Sequence, residues 1–307
     1  MIARYLQQVG ARLNSAQRSS DRRLKVLTIK PTPGINTEFR SDLTQKYDRD
    51  IFNPLIRAYY GREDYYNVGL WDAQCLDQGD ASTNLVNRVL SRAATRTPRL
   101  VLDVGCGLGA TTNQIKRKWP ESRVVGVNIS RAQLTHARDI HSEVEFYNMD
   151  AARLAFPDAV FDAVVSIEAA FHFNTRADFI GEAYRTLKPG GSLLLADILF
   201  EDGPMASAIS VWDVGRVNSL PNLSAYQEAL LIQGFADLYV EDITRQSWLA
   251  WCQSLERWLD NNPRHPACTD EQMGSWRSSL PLLAKAVRHY FIVSARKPLA
   301  LERLDGS

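Results

Sequence analysis

Cysteine is scarce: four in 307 residues, at 75, 106, 252 and 268, with no CxxC or Cys/His spacing among them. That excludes a zinc framework and a disulfide scaffold, leaves no metal to expect, and makes a reducing, cytoplasmic setting the default. Net charge is scarce as well. Thirty-six Lys and Arg against 35 Asp and Glu leave +1, so no general attraction draws a polyanion and no nucleic-acid partner is expected. No apolar run approaches the roughly 20 residues that span a bilayer. No internal repeat or low-complexity segment breaks the chain. What is present, 45% hydrophobic and 23% charged residues, is ordinary globular composition, long enough for one large domain with additions or two modest ones.

Residues 1–30 carry many Arg and Ser and a single acid, Asp21. Ile2, Tyr5, Leu6, Val9 and Leu13 fall at helical spacing, a pattern shared by amphipathic transit peptides and by a helix packed on its own domain or on a second copy. The clear apolar stripe favours the packed helix, and with it a homo-oligomer formed through that helix. Lys30-Pro-Thr-Pro-Gly34 then reads as a linker, so 1–34 is an appendage and 35–307 the main domain. Within that domain 35–98 reads as a helical lid. Tyr47, Phe52, Tyr59, Tyr60, Tyr65, Tyr66 and Trp71 are too dense for bare surface, and Leu85, Val86, Val89 and Leu90 mark an amphipathic helix over 81–94.

The core, 99–200, opens with LVLDVGCGLGATT over 100–112. Its continuous aliphatic run is that of a strand buried on both faces, and its glycines let a helix start close beneath a ligand. A regular βα alternation follows, with strands near 124–127, 144–147, 161–166 and 192–199 and helices near 109–118, 130–140 and 175–187. Lys188-Pro-Gly-Gly191 makes the turn into the last of these strands. This predicts an α/β fold, a doubly wound Rossmann-like parallel sheet. The segment 201–307 reads as substrate-side structure: a helix over 224–233, a strand over 236–242, a Trp-rich helical insertion, a helix over 282–289 and a strand over 290–295. Its two strands complete a seven-stranded sheet with an antiparallel pair at one edge.

Gly105-x-Gly107-x-x-Ala110 satisfies the dinucleotide fingerprint in its G/A form, so by itself it admits NAD. Three features point elsewhere. Asp103 stands two residues before the first glycine, placed for a cationic amino-acid group. The second strand ends in Asn128, where a dinucleotide enzyme presents an acid to ribose. Asp150-Ala151 follows the third strand, an acid placed for an exocyclic amine.

LDVGCGLGATT, VVGVNISRAQL, NMDAARLAFPD, FDAVVSIEAAFHF and LKPGGSLLLADI together resemble the class I S-adenosylmethionine-dependent methyltransferases, in order and spacing. YYNVGLW, SIEAAFHFNTRADF and YFIVSARKP narrow the likeness to the small-molecule branch of secondary metabolism, similar to erythromycin-type sugar O-methyltransferases. Some segments are also similar to the cyclopropane fatty acid synthases. The resemblance implies S-adenosylmethionine as cofactor, with Asp103, Gly105, Gly107 and Gly109 around its methionine part and Tyr66 closing over the carboxylate. It implies Asn128, Ile129 and Gln133 at ribose and adenine, Asp150 and Ala151 on the adenine rim, and Ser166 and Ile167 under the sulfonium. Asn128 departs from the Asp or Glu of many relatives and gives up charge-assisted strength.

The expected reaction is methyl transfer to a hydroxyl of a medium-sized, partly apolar secondary metabolite. His172 is the candidate general base and Glu168 its orienting or substrate-binding partner. The structural alternatives are a packed histidine between Phe171 and Phe173 and a glutamate that caps the next helix. Cys106 reads as a filler, Trp248, Trp251 and Trp258 as core, and Trp71 and Trp212 as pocket candidates. The alternative functions are C-methylation of a prenyl or other alkene carbon, and a non-methylating cyclase or binding relative of the same fold.

Overall fold

Leu100–Val104 is buried along its whole length (β1) and sends alternate side chains to two cores. Val101 packs with one cluster, and Leu100, Leu102 and Val104 with the other. A strand covered on both faces needs this unbroken apolar run. The computed structural model describes residues 37–61, 63–202, 218–266 and 268–299. The appendage expected over 1–34, and Trp212, lie outside them.

Around β1 the sheet adds Arg123–Asn128 (β2), Glu145–Asn148 (β3), Phe161–Ile167 (β4), Leu187–Phe200 (β5), Ala236–Asp242 (β6) and Val287–Arg296 (β7). Their order is β3-β2-β1-β4-β5-β7-β6. The first five in that order pair in parallel, and β7 runs antiparallel to both β5 and β6. The helices are Thr37–Ile51 (α1), Pro54–Tyr60 (α2), Gln78–Leu90 (α3), Ala110–Lys118 (α4), Arg131–Ile140 (α5), Arg176–Thr186 (α6), Leu223–Gln233 (α7), Ala250–Asn261 (α8) and Asp270–Ala284 (α9). No described helix is long and apolar enough to cross a membrane.

Local chemistry sets the helix starts. Asn53, Asp77, Ser130, Thr175, Asn222 and Thr269 each accept an N–H of the turn that follows, the usual remedy for unpaired amides at a helix start. Gly109, ahead of α4, supplies no side chain for this. The first N–H groups of α4 therefore donate to no N-cap side chain.

Two expectations need correction. The helix expected over 282–289 ends at Ala284, having begun at Asp270 behind a Thr269/Gln272 capping box, and Val287 already belongs to β7. The β-branched and aromatic run Val287–Val293 pairs along β5 and overrides the weak helical spacing before it. The turn expected at Lys188–Gly191 lies inside β5, where the register against β4 shifts and Gly190 donates its N–H to the Lys297 carbonyl. Trp248 and Trp251 are core residues, as read, while Trp258 is only partly buried against that core.

Where α6 meets β5, the Arg176 guanidinium bonds the Asp197 carboxylate at 2.9 Å, both side chains almost wholly buried. Tyr226 donates its hydroxyl to the same carboxylate at 3.0 Å. Removing one partner of such a pair strands the other charge. We expect Asp197→Ala to cost about 3–5 kcal/mol, read as a lowered midpoint in urea unfolding.

Candidate active site

At the end of β1 the chain turns into α4 through Gly105, Gly107 and Gly109, all at positive φ. The Gly105 and Cys106 N–H groups donate to the Val127 carbonyl, at 2.8 and 3.1 Å, and fasten the loop to β2. The glycines serve different ends. At Gly107 (φ +54) an added Cβ would meet nothing within 4 Å, so the residue borders open space. At Gly109 (φ +92) it would come within 2.8 Å of both His141 and Phe146. There glycine lets α4 pack against its neighbours.

A cavity lies over this corner at the carboxyl ends of the parallel strands. Of the residues singled out in the sequence, Tyr66, Gly105, Gly107, Asn128, Ile129, Gln133, Asp150, Ala151, Ile167, Glu168 and His172 line it. Asp103, Gly109 and Ser166 do not reach its wall. The Asp103 carboxylate lies behind the loop, accepting the Thr112 hydroxyl at 2.7 Å. Burial pushes this carboxyl up to about 7 against the opposing pull of that hydrogen bond. Ser166 is fully buried with its hydroxyl unpaired. Cys106 is buried, and burial holds its thiol well above the usual range, as befits a filler. Trp71 borders a separate groove with Tyr59, Asp77 and Trp258, not this cavity.

Glu168 sits just past β4 at φ +51, a conformation that costs a side-chain-bearing residue energy. Its Oε1 accepts the Val68 N–H at 2.6 Å and the Tyr290 hydroxyl, tying the lid segment and β7 to the end of β4. It does not cap α6, whose start Thr175 caps. Burial raises its carboxyl to about 8, opposed by those two bonds.

His172 closes a single 3-10 turn, Ala170–His172, and its Nε2 shares a hydrogen bond with the Tyr47 hydroxyl of α1. Nδ1 is buried and unpaired. Burial, then the Arg176 and Lys46 cations, hold the imidazole well below its ordinary pKa, so it is neutral at neutral pH. The backbone around it is clamped. Asn218 donates its amide to the carbonyls of Phe171 and Phe173, at 3.1 and 2.7 Å, and accepts the Arg176 N–H at 2.7 Å.

Tyr47, Asp64, Asn67 and Asn218 carry parts of this site that sequence reasoning did not assign. Asp64 lines the cavity at φ +61 and pairs with Arg57, and with His136 at 2.9 Å. Asn67 lines it too, its Oδ1 buried without a partner. The YYNVGLW motif drew attention to Tyr66 and passed over the asparagine beside it. Among the described residues no group of three or more His, Cys, Asp or Glu is arranged to hold a metal ion.

Residues 102–195 match a family described as a methyltransferase domain. Over 292 residues the chain is 30% identical to the 27-O-demethylrifamycin SV methyltransferase of Amycolatopsis mediterranei, covering 88% of this chain and 99% of that protein. The chain belongs to the class I S-adenosylmethionine-dependent methyltransferases. It is an enzyme of the secondary-metabolite branch, and its cofactor is S-adenosylmethionine. It is also 27% identical over 265 residues to the erythromycin 3''-O-methyltransferase of Saccharopolyspora erythraea, covering 76% of this chain and 84% of that one. Among solved structures, the [4+2]-cyclase SpnF superposes with a TM-score of 0.65 at 22% identity, covering 88% of this chain and 99% of that chain.

The residues present fit that cofactor. The space at Gly107 admits a chain lying against the loop, and the unpaired Asn67 Oδ1 offers a buried acceptor to a cationic group. Gly107→Ala should lower apo stability by only about 1–2 kcal/mol of backbone strain yet sharply weaken binding of S-adenosylhomocysteine by calorimetry. Gly109→Ala should fail first in thermal unfolding, because its methyl collides with Phe146.

The Glu168 carboxyl, raised in the folded chain above its unfolded value, stabilises the fold most at acidic pH, and that contribution is lost as pH rises through about 8. Glu168→Gln keeps an oxygen for both hydrogen bonds. Its urea midpoint should fall less than the wild type's between pH 6 and 9.

Proposed function

We propose that the chain methylates a hydroxyl of a medium-sized, partly apolar secondary metabolite, with His172 as general base. One observation carries this reading: a neutral, buried imidazole with an unpaired ring nitrogen borders the same cavity as the cofactor corner. S-adenosylmethionine supplies a methyl group on an activated sulfonium, so the protein's share is positioning, exclusion of water and removal of one proton. Rifamycin- and erythromycin-type acceptors of the relatives support a hydroxyl as the target.

In this reading Gly105, Gly107 and Asn67 hold the amino-acid tail, with Tyr66 over it. Asn128, Ile129 and Gln133 meet the ribose and adenine, Asp150 and Ala151 the adenine rim, and Ile167 the region beneath the sulfur. Asp103 and Ser166 act from behind the wall, Asp103 by holding Thr112 at the start of α4. Glu168 fixes the lid segment around Val68 rather than taking a proton.

His172 has two neutral tautomers. If the Tyr47 hydroxyl donates to Nε2, the proton on Nδ1 is a buried donor without an acceptor, a loss of about 1–3 kcal/mol. If Nε2–H donates to the Tyr47 oxygen, Nδ1 carries a bare lone pair, which is what a base requires. The depressed imidazole pKa keeps that lone pair free down to mildly acidic pH.

With 27-O-demethylrifamycin SV and other hydroxylated polyketides as acceptors, labelled methyl should appear on oxygen. His172→Ala should lower kcat by about 10²–10⁴-fold and leave S-adenosylhomocysteine affinity within about two-fold of the wild type. Equal turnover in the variant would return His172 to a packing role.

A further inference from the structure

The end of β2 lacks the carboxylate that its position invites, and one reaches it from the lid. Asp48, on α1, places Oδ1 where it accepts the Ser130 hydroxyl at 2.7 Å and the Gln133 amide at 2.8 Å, across 82 and 85 residues of sequence. The Gln133 Oε1 in turn accepts the Asn128 amide at 2.8 Å. Asn128 Oδ1 accepts the Ile129 N–H at 2.9 Å. A backbone N–H fixes one end of this chain and a carboxylate the other. Each amide therefore has only one orientation that pairs all its contacts.

Ser130 is held in the same way. Its hydroxyl accepts the Gln133 N–H at the start of α5 and donates to Asp48. Ser130, Gln133, Asn128 and Ile129 all line the cavity. We infer that Asp48 is a positioning residue that supplies from α1 the negative charge missing at the end of β2, orienting Gln133 for the adenosine half of the cofactor. The inference rests on the cofactor lying in this cavity with its adenosine end at β2 and β3.

The neighbouring residue gives this a consequence. Tyr47, one position earlier on α1, contacts His172 on the opposite side of the site. Seating one helix thus orders the donor end through Asp48 and the proton-accepting end through Tyr47.

The test is calorimetric binding of S-adenosylhomocysteine and of 5′-methylthioadenosine, which has the adenosine half but no amino-acid tail. Asp48→Ala should weaken both by about ten-fold or more, a charge-assisted contact being lost, and Asp48→Asn should fall between it and the wild type. Gln133→Ala should weaken both. The double variant Asp48→Ala/Gln133→Ala should be no weaker than Gln133→Ala alone, because Asp48 acts through Gln133. Tyr47→Phe should leave 5′-methylthioadenosine affinity within about two-fold, which separates Asp48 from a general loosening of α1. Wild-type affinity in Asp48→Ala while Gln133→Ala is weakened, or losses that multiply in the double variant, would overturn the inference. Loss in neither single variant while the wild type binds S-adenosylhomocysteine would instead remove the cofactor's placement.

Discussion

The parallel pairing of β1 with β2 is the constraint from which the site follows. It brings the carboxyl ends of both strands to one edge, and the chain leaving β1 must reverse into α4 within five residues, 105–109. The loop makes that turn with three glycines at positive φ, and the Val127 carbonyl holds it by two N–H groups. The uncapped start of α4 is the direct result. Asn128 and Asp150 meet it because β2 and β3 end at the same edge, and Glu168 because β4 flanks β1 on the other side.

What the sheet leaves open, the segments before and after it close. Tyr47 and Asp48 come from α1, Asn67 from the stretch behind α2, and Asn218 from beyond the parallel core. Glu168 ties the stretch after α2 and β7 to the end of β4, through Val68 and Tyr290. A neutral carboxyl suits that place, since it accepts both donors without burying a net charge. The clamp on the turn bearing His172 leads through Asn218 and Arg176 to Asp197 in the middle of the fold. Stability and the geometry of the candidate base therefore share one buried ion pair.

The parallel core was legible because its signals are local: an aliphatic run, three glycines, then βα units with the period of each element. Asn128 at the end of β2, and Asp150 and His172 in the turns after β3 and β4, stand out from that register, and all three line the cavity. Asp48 could not be. Nothing within several residues of it marks an acid that will meet Ser130 across 82 positions, since tertiary packing makes that contact and periodicity does not encode it. Asn218 escaped notice for the same reason. α9 was missed although Thr269 and Gln272 spell a capping box, because the weak apolar spacing near Leu282 drew the helix too far toward β7. Asp103, expected against a cationic group of the cofactor, instead accepts the Thr112 hydroxyl behind the loop, a partner that strand alternation alone does not reveal.

Donor and acceptor ends form one site, built jointly by the strand ends and α1. A crystal structure with bound S-adenosylhomocysteine tests this most directly. The homocysteine tail should lie over Gly105 and Gly107, the ribose and adenine between Gln133 and Asp150, and α1 should be seated with Tyr47 on His172 and Asp48 on Gln133. A ligand bound in place while α1 lies displaced from both contacts, or a ligand bound elsewhere, would contradict it.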